Sequence, residues 1–222
     1  MIPNEVFMFK IQFFGCLIVL LVSCTHQKRE PNHSEHRTPT TSEKTVIIDC
    51  RFTFEESVNG SNAPKEILDQ LKLINVQYYS TDHKIHQGQV LANQKIADKI
   101  DLLFKYMLFL KFPIAHAIPV VNYHWDDELS MQSNNTYSFC YRDISFSKHA
   151  HGMAIDINPY FNPERWKAGY ENRVDKPEGA HYDPNVPGTF YKLHPVVQEL
   201  KKLGFRWGHT FTEKMDDHHF EM

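Results

Sequence analysis

After position 22 the chain has no apolar run long enough to cross a bilayer, and no segment repeats another, which argues against a multi-span membrane protein or a solenoid. It also lacks any excess of basic charge. Lys and Arg number 24 against 27 Asp and Glu, for a net charge of −3, so there is no electrostatic footprint for nucleic acid and no nucleic-acid partner is expected. Cysteine is scarce, with only Cys16, Cys24, Cys50 and Cys140. Residues 25–45 contain no aliphatic or aromatic side chain at all. Such a stretch cannot bury enough apolar surface to offset its ordering entropy, so a disordered tether is expected there.

What precedes that tether is a targeting segment. Lys10 supplies a positive charge, and residues 11–22 form an apolar run too short to span a membrane comfortably. The run ends in Leu21, Val22, Ser23 and Cys24, which resembles a bacterial lipoprotein processing box. The resemblance implies a signal peptide over residues 1–23, removal before Cys24, and lipid on Cys24. Thr25, rather than an aspartate, favours delivery to an outer membrane facing the periplasm. The tether would then have a coil dimension of roughly 25 Å and a reach of roughly 70 Å. His26, His33 and His36 lie within it and are not expected to bind metal. Cleavage leaves about 200 residues, with one domain over residues 46–222 large enough for a real core. Cys50 and Cys140 remain as an even pair in a disulfide-permissive compartment, and they fit a disulfide or two small buried side chains equally.

Two short motifs about sixty residues apart carry the chemistry. Ser147-Lys148-His149-Ala150-His151-Gly152-Met153-Ala154-Ile155-Asp156 offers His149 and Asp156, and Asp216-Asp217-His218-His219-Phe220-Glu221 offers His219. Three nitrogen and oxygen ligands leave one open position on a tetrahedral zinc, the arrangement of a catalytic site. A carboxylate beside the ligands, here Asp216, can take a proton from water there.

The pattern Ser-x-His-x-x-Gly-x-Ala-x-Asp followed by Asp-x-x-His-Phe resembles the zinc D-alanyl-D-alanine carboxypeptidases and L-alanyl-D-glutamate endopeptidases of the VanY-like group. These enzymes cut peptidoglycan stem peptides. Further likeness runs in order through Phe112-Pro113-Ile114, Ser130-Met131, Asn134-Asn135-Thr136, Phe139-Cys140-Tyr141-Arg142, Asp156-Ile157-Asn158-Pro159, Asn162-Pro163 and Gly204-Phe205-Arg206-Trp207-Gly208. It covers residues 76–222. The resemblance implies one zinc per chain on His149, Asp156 and His219, with Asp216 as general base. It also implies that Arg142 steadies the substrate carbonyl as negative charge develops, while Ser147 and Tyr141 contact substrate. Asp217 is expected to be a solvated neighbour. His151, two residues from His149, is expected on the same side, and Trp207 beneath the site. Where the family often reads Trp-Gly-Gly and then Trp, this chain has His209 and Phe211, which alters the substrate rim. Two further readings stay open. One is endopeptidase rather than carboxypeptidase activity. The other is a zinc-containing wall-peptide binding module without turnover, since Hedgehog domains of similar fold keep a zinc.

Periodicity predicts strands over residues 46–54, 76–79, 89–92, 117–123, 137–142, 153–157, 205–207 and 219–222. Helices are predicted over 63–74, 93–112 and 193–203, with a long irregular loop over 159–188. Mixed elements without regular alternation give an α+β fold, a single domain whose mixed, mainly antiparallel sheet packs on helices and carries the zinc site. The expected partners are stem peptides and, through lipid, the envelope membrane, with the protein a monomer.

Overall fold

Pro64 and Asn93 each open a helix, and between them runs the backbone of the N-terminal half. The computed structural model describes residues 45–144, 146–170 and 172–222. The signal peptide, Cys24 and the tether through residue 44 lie outside the described residues. Strand β1 (Ile47–Ile48) is followed by the short helix α1 (Phe54–Val58), where Thr53 and Glu56 form a capping box. Helix α2 (Lys65–Leu68) is a single turn. Strand β2 (Leu71–Ser80) then pairs antiparallel with β3 (Ile85–Asn93), from Leu71 opposite Asn93 to Tyr79 opposite Ile85. Helix α3 (Gln94–Phe109) follows at once, because Asn93 caps it by accepting from Lys95 N at 3.1 Å. Strand β4 (Pro113–Ile114) completes a four-stranded mixed sheet in the order β1-β3-β2-β4.

Helix α3 buries Ile96, Ala97, Ile100, Leu103, Phe104 and Met107 along one stripe. This stripe shares a core with Ile74, Val76 and Tyr78 of β2. Each fully buried Ile, Leu or Phe contributes roughly 1.5–3 kcal/mol, so a charge at Ile100, which is completely buried, would be enough to break this face.

After a 3-10 turn (Val120–Tyr123) and helix α4 (Asp127–Gln132), the chain builds two small antiparallel sheets. One contains β5 (Ala154–Asp156), β7 (Arg206–Trp207) and β9 (His219–Glu221), with β9 in the middle. The other pairs β6 (Glu164–Trp166) with β8 (Lys214–Asp216). Helix α5 (Pro195–Lys202) adds Val196, Val197 and Leu200 to the same core as α3, together with Ile155, Trp207 and Phe220 from the three-stranded sheet.

The α+β class holds, with several sheets in place of one. Five expected elements differ, one of them the irregular loop expected over 159–188, which contains β6. Residues 63–74 are helical only through Leu68, because Leu71 and Ile74, whose spacing also suits a helix, are taken by the β2–β3 ladder. The expected strand over 117–123 is a 3-10 turn, and residues 137–142 form one isolated bridge, Tyr137 to Asp156, rather than a strand. The strand expected over 46–54 stops at Ile48, and Phe54 already begins α1. Cys50 and Cys140 are free thiols, the first half-buried and the second buried. Among the described residues no helix is long and apolar enough to cross a membrane.

Candidate metal centre

The pairing of β5 with β9 places Asp156 directly opposite His219, so the two side chains meet on one face. His149 arrives from a 3-10 turn (His149–His151) closed by Gly152 in the left-handed region, at φ 62°. A Cβ at Gly152 would lie 2.8 Å from Asn93 N and 2.9 Å from Leu71 Cδ2, so only glycine lets the turn sit this close to β2 and β3. His149 Nε2, Asp156 Oδ1 and His219 Nδ1 form a near-equilateral triangle with edges of 3.1, 3.0 and 3.0 Å. All three residues are buried.

The outward nitrogens of both imidazoles are committed. His149 Nδ1 donates to Ser138 O at 2.7 Å, and His219 Nε2 donates to Glu221 Oε2 at 3.1 Å. The inward nitrogens therefore direct lone pairs at each other and at a carboxylate, which is stable only around a cation or a proton. Without a metal, burial lowers the basicity of His219, yet its bonds to Asp156 and Glu221 outweigh this and push it up to about 9. Burial likewise opposes ionisation of Asp156, but the His149 and His218 charges hold its carboxyl well below the usual range. A tetrahedral ion with bonds of ~2.0–2.1 Å would need edges of about 3.3–3.4 Å, close to those present, and two imidazoles with one carboxylate suit a zinc-type ion. The donor set fits a metal, and His149, Asp156 and His219 would hold it.

Asp216 sits on β8, buried, with Lys214 Nζ 3.2 Å from Oδ2. His218 Nε2 lies 3.0 Å from Oδ1 as an ion pair, and no other group among the described residues donates to that oxygen. Burial raises the Asp216 carboxyl, and the His218 charge overrides it, keeping the group ionised. His218 donates from Nδ1 to Asn162 O at 2.8 Å. Although burial works against its charge, Asp216 and Asp156 push it up to about 10. His218 is thus a cation behind Asp216, outside the triangle of His149, Asp156 and His219. Gly208 permits this packing, since a Cβ there would be 2.7 Å from Asp216 O and 3.2 Å from His219 Cβ.

Asp217 corrects the expectation of a solvated neighbour: it is fully buried. Arg165 grips its Oδ2 through Nε at 3.0 Å and an Nη at 2.5 Å, and His209 Nδ1 lies 2.6 Å from Oδ1. His209 stacks on Trp207 with centroids 4.4 Å apart and so serves an internal clamp, while Phe211 lines the cavity over the triangle. Trp207 is buried, stacks on Phe220 and donates to Asp217 O at 2.9 Å, beneath the site as expected. His151 is exposed rather than beside the metal ligands, because a 3-10 turn does not keep alternate residues on one side.

A cavity of about 320 Å³ opens over the triangle, lined by Arg142, Ser147, Lys214, Phe211 and Asp216 among others. Tyr141 does not line it. It borders a separate cavity of about 270 Å³ with Trp125, and Arg142 stands between the two. Arg142 pairs with Asp127 through an Nη at 3.0 Å from Oδ2; burial weakens its basicity, but Asp127 more than restores it. Sequence reading missed Glu221, although two residues on from His219 along a strand is the same face. It also missed Tyr137, Asp127 and Lys214, which have no local motif to announce them.

A family model described as D-alanyl-D-alanine carboxypeptidase matches residues 142–222. No curated protein and no solved structure matches the chain. Over residues 142–222, the segment that supplies the whole triangle and the carboxylate beside it, the chain is similar to the VanY-like D-alanyl-D-alanine carboxypeptidases.

Proposed function

We propose that this protein is a zinc peptidase that hydrolyses peptidoglycan stem peptides, acting as a D-alanyl-D-alanine carboxypeptidase. The observation that carries the reading is the buried Asp216 carboxylate beside the ligand triangle, its Oδ1 held among the described residues only by the His218 ion pair, which simple metal storage does not require. A zinc held by His149, Asp156 and His219 would supply Lewis acidity, acidifying water and polarising the substrate carbonyl. Asp216 Oδ1 accepts the proton of the attacking water, whose oxygen bonds to the acyl carbon. The Arg142 guanidinium stabilises the negative charge that builds on the carbonyl oxygen. Asp216 then gives the proton to the departing amine as the C–N bond breaks, so one water is consumed and a free carboxylate and amine result. His218 and Lys214 keep Asp216 ionised and aimed. The same proposal places the enzyme in the bacterial envelope, tethered through lipid on Cys24.

Mass analysis of muropeptides after incubation tests activity and bond choice together. Loss of one alanine marks the carboxypeptidase, and cleavage after the L-alanine marks the endopeptidase. Asp216→Asn should retain its metal and lose at least about 100-fold in rate. Wild type that loads zinc and binds muropeptides yet never cuts them would make the domain a binding module.

A further inference from the structure

Arg142 stands in an irregular stretch between the Tyr137 bridge and the His149 turn, so no strand or helix backbone fixes its guanidinium. Among the described residues only Asp127 pairs with it. Asp127 occupies the first turn of α4, whose start is set by Asp126 accepting from Leu129 N at 3.0 Å and whose Ser130 and Met131 are buried. The other oxygen of Asp127, Oδ1, accepts from the Tyr137 hydroxyl. That hydroxyl also lies 2.9 Å from Asp156 Oδ2, the oxygen turned away from the metal triangle. Tyr137 is almost wholly buried, its backbone bonds Asp156 in both directions at 3.1 and 2.9 Å, and its ring lies 5.2 Å from that of His149. A continuous line of side chains thus runs from the carbonyl-stabilising cation to the ligand carboxylate.

We propose that Asp127 and Tyr137 form a strut that sets the position of Arg142 relative to the metal, with Asp127 a positioning residue for the reaction. Asp127 engages one Nη of the guanidinium, leaving the remaining N–H donors for the substrate carbonyl. Asp127 and Asp156 share the single Tyr137 hydroxyl proton, and the two backbone bonds between Tyr137 and Asp156 hold the far end, so movement of the metal ligand and movement of Arg142 are tied together. Charge on Asp127 is essential to this role, because a neutral amide would hold Arg142 far less firmly. A misplacement of about 1 Å at a reacting centre costs on the order of 100-fold.

This inference rests on the proposed peptidase reading, and the test separates the two. Asp127→Asn should lower kcat about 10- to 100-fold with KM changed less than about threefold. Asp127→Glu, which keeps the charge in a larger side chain, should retain more activity than Asp127→Asn. A packing role would give the reverse order, since asparagine is the isostere. In an Arg142→Ala background Asp127→Asn should cost nothing further. Tyr137→Phe should weaken zinc binding about 10- to 100-fold in competition with a chelator, a measurement that needs no turnover. Equal or inverted ranking of the Asn and Glu variants, additivity with Arg142→Ala, or wild-type zinc affinity in Tyr137→Phe would overturn the strut. If wild type never cuts, the peptidase reading fails, while the chelator comparison still judges the tyrosine's hold on Asp156.

Discussion

Asp216 and Asp217 are adjacent and chemically identical, yet their removal should have opposite consequences. Asp217→Ala deletes the shared acceptor of Arg165 and His209, both within 3.0 Å of a carboxylate that has no exposure. Breaking one side of a buried ion pair costs about 3–5 kcal/mol. The Arg165 and His209 side chains are 26% and 33% exposed and would regain some solvation, which brings the loss to about 2–4 kcal/mol. For a domain of this size each kcal/mol moves Tm by roughly 2–4 °C, so Tm should fall by about 5–15 °C. Below the new transition the base and the three ligands are still present, and hydrolysis should stay within about tenfold of wild type. Calorimetry with a stem-peptide assay at 20 °C reads both quantities. An unchanged Tm, or a rate loss at 20 °C matching that of Asp216→Asn, would show that the clamp reasoning is wrong.

Other outcomes follow from the same geometry. The protein should bind one zinc per chain, and exhaustive chelation should abolish hydrolysis while zinc restores it; elemental analysis without stoichiometric metal would refute the donor-set argument. Burial drives His194 down to about 4 from 6.5, and its Nδ1 accepts from Val196 N at 3.2 Å, a role only the neutral ring can fill. Because the unfolded chain takes that proton first, stability should fall as pH drops from 6.5 toward 4, by about 2 kcal/mol in total after discounting for partial exposure. His194→Asn, which keeps a cap, should flatten that part of the profile in denaturant titrations at several pH values. Cys24→Ser should convert a membrane-associated protein into a soluble or unprocessed one, and unchanged fractionation would exclude the lipid anchor.

The His149–Asp156–His219 cluster was legible because His149 and Asp156 fall in one local motif and His219 in another, each with fixed spacing. Helix α3 was legible because Ile96, Ile100, Leu103 and Met107 share one stripe, whereas Leu110, at the same spacing, falls beyond its end and is exposed. Strand β2 was not, since Leu71 and Ile74 stand at a helical spacing and, on the strand, face opposite sides into different clusters, so only the nine-residue register with β3 reveals it. Asp217 was misread for a similar reason. Its partner Arg165 lies 52 residues away on β6, so nothing near Asp217 in the sequence distinguishes a clamp from a solvated charge. Glu221 was readable in principle from strand alternation, whereas Asp127 becomes relevant only once α4 is docked against Tyr137.

The family match begins at residue 142, but groups that orient two of the three triangle residues, His149 and Asp156, lie before it. Ser138 fixes the tautomer of His149, Tyr137 braces Asp156, and Asn93 donates from N to Gly152 O at 2.9 Å and from Nδ2 to His151 O at 3.1 Å. A fragment cut to residues 142–222 would hold all three ligands and lack the partners that aim them. Grafting the site onto another scaffold therefore means transplanting residues 93 and 137–138 with it, and a chimera exchanged at position 142 would have to reproduce those contacts from its new N-terminal half.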